Sequence, residues 1–163
     1  MAIEIERKFL IINDGWRQQV SKSKRIVQGY LNKSAERSVR IRISGEDANI
    51  NIKSKRGEGG ITRLEYEYAI PLSDAQELLD NVALKPVIDK TRHYIFFDAL
   101  CWEIDEFYGD NAGLIVAELE LPNVDTAFPK PDWLGQEVSD DPRYYNMNLM
   151  QLPYTQWPEN QRD

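Results

Sequence analysis

Ile3-Glu4-Ile5-Glu6-Arg7-Lys8 alternates apolar and charged side chains, the period of a strand whose successive residues face opposite ways. Glu4, Glu6 and Lys8 therefore share one face, and Ile3 and Ile5 the other. The pattern recurs along the chain. Arg40 and Arg42 oppose Val39, Ile41 and Ile43, while Asn49, Asn51 and Lys53 oppose Ile50 and Ile52. Arg63, Glu65 and Glu67 oppose Leu64, Tyr66, Tyr68 and Ile70. Lys90 with Arg92, Glu103 with Asp105, and Glu118 with Glu120 complete seven strands that offer a charged face.

Turn signals divide these runs into eight expected strands, at 3–12, 24–32, 38–44, 48–53, 61–70, 87–98, 101–107 and 114–121. Ser73-Asp74-Ala75-Gln76 predicts a capping box for a short helix through Asp80. Pro142 predicts a second helix running to about Met150. The expected fold is mainly β (α+β): a closed antiparallel barrel of eight strands with a few helices outside. No repeat or linker divides the chain, so residues 1–155 read as one domain and 156–163 as a loose C-terminal tail.

The 163 residues carry 20 Lys+Arg and 27 Asp+Glu, a net charge of −7. The split is uneven, with 17 basic and 14 acidic residues before position 100 and 3 against 13 from there on. No apolar run approaches the roughly 20 residues of a membrane span, and charges occupy the place of a signal peptide's apolar segment. A cytoplasmic protein without a membrane partner is expected. Lone Cys101 and His93 exclude a disulfide framework and a zinc site with soft ligands, so a metal here is held by oxygen. Lys22, Lys24 and Arg25 lack interleaved aromatics, and no nucleic-acid partner is expected.

An antiparallel sheet with one wet face gives the same alternation with nothing bound. Two features point further. The face is dominated by acid pairs and base pairs, and the adjacent like charges Glu4/Glu6, Glu65/Glu67 and Glu118/Glu120 are unfavourable without a cation. Such pairs suit Mg²⁺ or Mn²⁺. Arg40/Arg42 and Lys90/Arg92 suit phosphate oxygens.

Glu4-Ile5-Glu6-Arg7-Lys8 resembles the Glu-x-Glu-x-Lys signature of the CYTH superfamily, the triphosphate tunnel metalloenzymes. The resemblance continues through Gln28–Leu31, Val39–Arg42, Ile52-Lys53, Arg63–Glu67, Lys90–Arg92, Trp102–Phe107, Ala117–Glu120 and Glu137–Asp140 with Tyr144 and Asn148. It implies an eight-stranded tunnel like that of the short single-domain bacterial members. The implied activity is metal-dependent hydrolysis of inorganic tripolyphosphate or a related triphosphate. A class IV adenylate cyclase making cyclic AMP, or a non-catalytic polyphosphate- or nucleotide-binding module, are the alternatives.

On that resemblance Lys8, Arg40, Arg42, Lys53, Lys90 and Arg92 hold the triphosphate. Glu4, Glu6, Glu65, Glu67, Asp105, Glu118 and Glu120 are candidate ligands for Mg²⁺ or Mn²⁺. The water's proton goes to a carboxylate such as Glu6 or Glu65, or to Tyr30 paired with Lys53. Arg63 and Glu103 face inward as site residues or structural ion pairs. Lys55–Gly60 is a flap or a solvated loop. His93 is expected to be packed or exposed rather than catalytic, and Cys101 to be a buried small hydrophobe. A small triphosphate is the expected partner, with the protein a monomer or homodimer.

Overall fold

A computed structural model describes residues 3–34 and 36–162. Its strands are β1 (Ile3–Ile11), β2 (Lys22–Tyr30), β3 (Arg37–Ser44), β4 (Asp47–Ser54), β5 (Thr62–Ala69), β6 (Ile88–Phe97), β7 (Leu100–Phe107), β8 (Ile115–Glu120) and β9 (Leu134–Glu137). Two α-helices, α1 (Leu72–Asn81) and α2 (Asn146–Gln151), join short 3₁₀ turns. The sheet runs β5-β4-β3-β2-β6-β7-β8-β1, and β1 then pairs back with β5. Ile3, Ile5 and Glu4 lie opposite Leu64, Thr62 and Arg63, closing an eight-stranded antiparallel barrel.

β1 pairs with β5 through its N-terminal half and with β9 through Phe9 and Ile11, while β8 covers its other edge. The sequence reading missed β9, four residues without alternation. Gly135 lets it lie close: an added Cβ would stand 2.9 Å from the Leu10 carbonyl oxygen.

Each face of the barrel has its own packing. Outside, α1 lays Ala75 and Leu79 over Ile41 and Ala48. Trp16, Trp102 and Trp133 join Phe9, Ile104 and Leu119 in a second outer cluster. Burying a large apolar side chain contributes roughly 1.5–3 kcal/mol, so these coats free the inner face for charge. Inside, one end is apolar: Leu10, Ile88, Phe107 and Val116 meet Tyr144, Met147 and Leu149. The antiparallel path puts the β2–β3, β4–β5 and β7–β8 connections at that end.

Several expectations change. α1 starts at Leu72 with Pro71 as its N-cap and no side-chain cap, so Ser73 falls inside the first turn and the capping box does not form. The helix expected from Pro142 is broken at Tyr145, which is extended at φ −71° and ψ 133°. A 3₁₀ turn spans Pro142–Tyr144 and only Asn146–Gln151 is α-helical. Trp157 is not in a loose tail: it is 3% exposed, edge-on to Tyr144 and Tyr154. Asp163 lies outside the described residues.

His93 packs outside the barrel against Trp16, with Nε2 3.1 Å from Glu106. Cys101 is partly buried in β7. Among the described residues no helix is long and apolar enough to cross a membrane.

Candidate active site

Cross-strand partners in an antiparallel sheet point the same way, so the register decides which charges meet. Lys8 faces Glu118, which faces Glu103 on β7. Arg92 faces Asp105, Arg40 faces Asn51, and Lys53 faces Glu65. All these side chains point into the barrel. They enclose a cavity of about 560 Å³ lined by Glu4, Glu6, Lys8, Tyr30, Arg40, Arg42, Lys53, Glu65, Glu67, Arg92, Glu118 and Glu120. Twelve of the fourteen site residues expected from sequence therefore share one chamber.

Lys90 and Asp105 are the exceptions. Both are fully buried in the wall. Lys90 Nζ donates to Asp105 at 2.7 Å, and Arg92 grips the same carboxylate at 2.8 and 2.9 Å. Burial pushes the Asp105 carboxyl up, but Arg92 and Lys90 outweigh it and hold it below its usual range. The Asp105 carboxylate thus holds two cations and does not line the cavity. Burial drives the Lys90 ammonium down against the pull of Asp105. Lys90 reaches toward the cavity through Asn146 Oδ1, at 3.4 Å.

Most of the cations facing the cavity are already neutralised. Lys53 Nζ lies 3.0 Å from both Glu4 oxygens and 3.3 Å from Glu65. Arg63 lies 3.5 Å from Glu4. Lys8 reaches Glu118 at 3.4 Å and donates to the Tyr144 carbonyl at 2.9 Å. Arg92 adds Glu103 at 3.1 Å and Glu118 at 3.3 Å. Arg63 and Glu103, left open by the sequence, are therefore both ion-paired and cavity-lining. Among the described residues no hydrogen bond joins Tyr30 to Lys53. Both line the chamber, but the Lys53 ammonium is engaged by Glu4 and Glu65.

Two strand-borne guanidiniums stand apart. Among the described residues neither Arg40 nor Arg42 has a carboxylate within ion-pair distance. Arg40 Nε is buried without a hydrogen-bond partner. Arg42 Nε donates to Gln28 Oε1 at 2.9 Å, and Gln28 is held in turn by Asn146. Burial, with Arg40 and Arg92 nearby, lowers Arg42 to about 9. Adjacent cations, Arg40 buried and Arg42 partly so, with no carboxylate partner among the described residues are suited to receive an anion.

Two carboxylates mirror them. Glu6 and Glu120 are cross-strand partners, and neither has an ion-pair partner among the described residues. Burial and the charges of Glu118 and Glu4 raise Glu6 to about 8. Burial and Glu4 push Glu120 up. Repulsion of this kind is relieved by a proton or a cation. Among the described residues no group of three His, Cys, Asp or Glu side chains is arranged to hold a metal ion. Mg²⁺ commonly takes one or two carboxylates and completes its shell with water and substrate phosphate. The all-oxygen pair Glu6/Glu120 fits that demand.

The sequence reading did not select Asn51, Asn146 or Tyr145. Asn51 donates to Glu65 at 3.0 Å and Glu67 at 3.1 Å, a role its period-two position beside Lys53 could have suggested. Asn146 and Tyr145 come from the segment that crosses the barrel end, which no local pattern reveals.

A closed barrel with paired and unpaired charges inside defines a β-tunnel protein, one whose ligand chemistry lies in the lumen. The chain belongs to the CYTH domain family, whose model it matches over residues 2–145. It is 43% identical over 159 residues to an inorganic triphosphatase of Acetivibrio thermocellus, covering 98% of this chain and all of that protein. An inorganic triphosphatase of Nitrosomonas europaea is 35% identical over 152 residues, covering 90% of this chain and 95% of that one. A crystal structure of an inorganic triphosphatase superposes with a TM-score of 0.63 at 30% identity, covering 92% of this chain and 95% of that one.

Proposed function

We propose that this protein hydrolyses inorganic tripolyphosphate to pyrophosphate and phosphate, using a divalent cation, Mg²⁺ or Mn²⁺. The observation that carries the reading is the chamber's charge layout. Among the described residues Arg40 and Arg42 have no carboxylate within ion-pair distance, and Glu6 and Glu120 face each other with no basic side chain within that distance. A triphosphate with a divalent ion supplies both missing charges.

Arg40 and Arg42 bind phosphate oxygens, and Lys8, Lys53 and Arg92 align the chain from the facing walls, each already oriented by a carboxylate. Asp105 aims Arg92 through two hydrogen bonds, so the guanidinium is fixed before substrate arrives. Phosphoryl transfer needs alignment and stabilisation of charge more than covalent help, which fixed ion pairs in a shielded chamber provide. Glu6 and Glu120 would hold the cation, which neutralises developing negative charge and acidifies bound water. The water's proton would go to a carboxylate of the chamber that does not hold the cation, Glu65 among them. The basic side chains in the lumen favour a small phosphate partner over nucleic acid or a membrane.

The test is phosphate release from tripolyphosphate, ATP and thiamine triphosphate with Mg²⁺, with Mn²⁺ and with chelator. Rapid tripolyphosphate hydrolysis lost on chelation is expected. Cyclic AMP from ATP without free phosphate would instead indicate a cyclase, and tight binding without turnover a binding module.

A further inference from the structure

Arg56 lies on the β4–β5 connection, where residues 138–148 cross the barrel end, and its side chain lines the cavity. It belongs to neither the Arg40/Arg42 pair nor the ion-paired cations. Nη1 donates to the Gly60 carbonyl at 3.2 Å, and the guanidinium stacks 3.9 Å from the centre of the Tyr145 ring. Among the described residues no carboxylate lies within ion-pair distance. Burial and the neighbouring charge of Arg63 lower its pKa, as expected of a cation that lacks an anion.

A ring stacked on the guanidinium face leaves the N–H edge free for hydrogen bonds. Among the described residues one of the five N–H donors has a partner. The ring is itself fixed, since Tyr145 Oη donates to the Ser139 carbonyl at 3.1 Å. Gly60 brings the loop against the same segment. It adopts φ +76°, and an added Cβ would lie 2.6 Å from the Ser139 oxygen. The stretch expected to be a flap or a solvated loop is therefore docked, with Arg56 directed at the chamber.

We propose that Arg56 is a further ligand for the substrate's phosphate, and that Tyr145 is its positioning residue. This rests on the triphosphate reading of the chamber and adds to the strand-borne cations a loop-borne one set by tertiary contact. Removing a charged hydrogen bond that is made alike in the bound and transition states raises KM and spares kcat.

The experiment compares wild type, R56A, R56K, Y145A, Y145F and R56A/Y145A by steady-state hydrolysis of tripolyphosphate and by calorimetric titration with tripolyphosphate without metal. R56A should raise KM and Kd roughly ten- to a hundredfold. R56K should recover part of that, because an ammonium keeps the charge but not the fork. Y145A should raise KM about two- to thirtyfold, the range of a cation–π contact. Y145F, which keeps the ring but loses its hydrogen bond to Ser139, should fall between wild type and Y145A. The double variant should be no worse than R56A, because the two act through one group. Unchanged binding in R56A overturns the assignment of Arg56. Additive effects of R56A and Y145A overturn the positioning role. A wild-type protein without turnover would instead refute the proposed hydrolysis, and the titration would still decide whether Arg56 binds phosphate.

Discussion

Replacing Asp105 by Asn separates an anchor from a metal ligand. Asp105 is fully buried and holds two cations at 2.7 to 2.9 Å. After the change Arg92 keeps Glu103 and Glu118, whereas Lys90 keeps only the Asn146 oxygen. Breaking a buried ion pair by removing one partner costs about 3–5 kcal/mol. An amide oxygen still accepts one hydrogen bond, which puts D105N near the lower end, about 3 kcal/mol. For a chain of this size that is a fall in Tm of roughly 6–12 °C, measurable by differential scanning calorimetry. The sign of the pH dependence follows from the depressed carboxyl pKa. Its stabilisation is present above the unfolded value near 3.8 and is lost as pH falls below it, so D105N should lose less than wild type on acidification. Below its Tm, D105N should show a lower kcat/KM because Arg92 is less well aimed, with the Mg²⁺ concentration for half-maximal activity unchanged. A Tm equal to wild type would refute the anchor. So would a tenfold change in the metal requirement at unaltered stability.

R42A should move function and stability in opposite directions. Removing a cation that has no carboxylate partner among the described residues, beside Arg40, should leave thermal unfolding unchanged or raise its midpoint, while tripolyphosphate hydrolysis drops at least about tenfold for a lost charged hydrogen bond. E6Q and E120Q should each raise the Mg²⁺ or Mn²⁺ concentration needed for half-maximal activity, followed by metal titration of the rate, because binding weakens as ligand charge is removed. An unchanged requirement in both would argue against that pair as the cation site. W157A removes a ring packed on Tyr144 and Tyr154 and should destabilise by about 3–5 kcal/mol in urea unfolding; a wild-type midpoint would restore the loose tail.

Much of the barrel was legible in the sequence because a strand's period of two records burial directly. Glu4-Ile5-Glu6 and Arg40-Ile41-Arg42 state which side chains share a face, and seven such runs require a sheet that hides one face. Coverage by α1 and by the tryptophan clusters then makes the charged face the interior. β9 escaped because four residues around Gly135 carry no period, and its strand pairing comes from β1 alone. The break at Tyr145 escaped because Pro142 and the following residues have acceptable helix propensity, which the packing of Tyr144 and Met147 into the barrel end overrides.

The sequence by itself determined the fold class, the shared face of each strand and twelve of the residues that line the chamber, eleven of them as a local property of alternation and Tyr30 through the family resemblance. Tertiary structure decided the charge balance among them. Strand register set Lys53 opposite Glu65 and Arg92 opposite Asp105, barrel closure brought Glu4 to Lys53, and among the described residues Arg40, Arg42, Glu6 and Glu120 have no ion-pair partner. The crossing segment at residues 138–148 brought Tyr145 to Arg56. Which charge neutralises which depends on distances of a few ångströms between residues far apart in the chain, and no spacing along one strand encodes them.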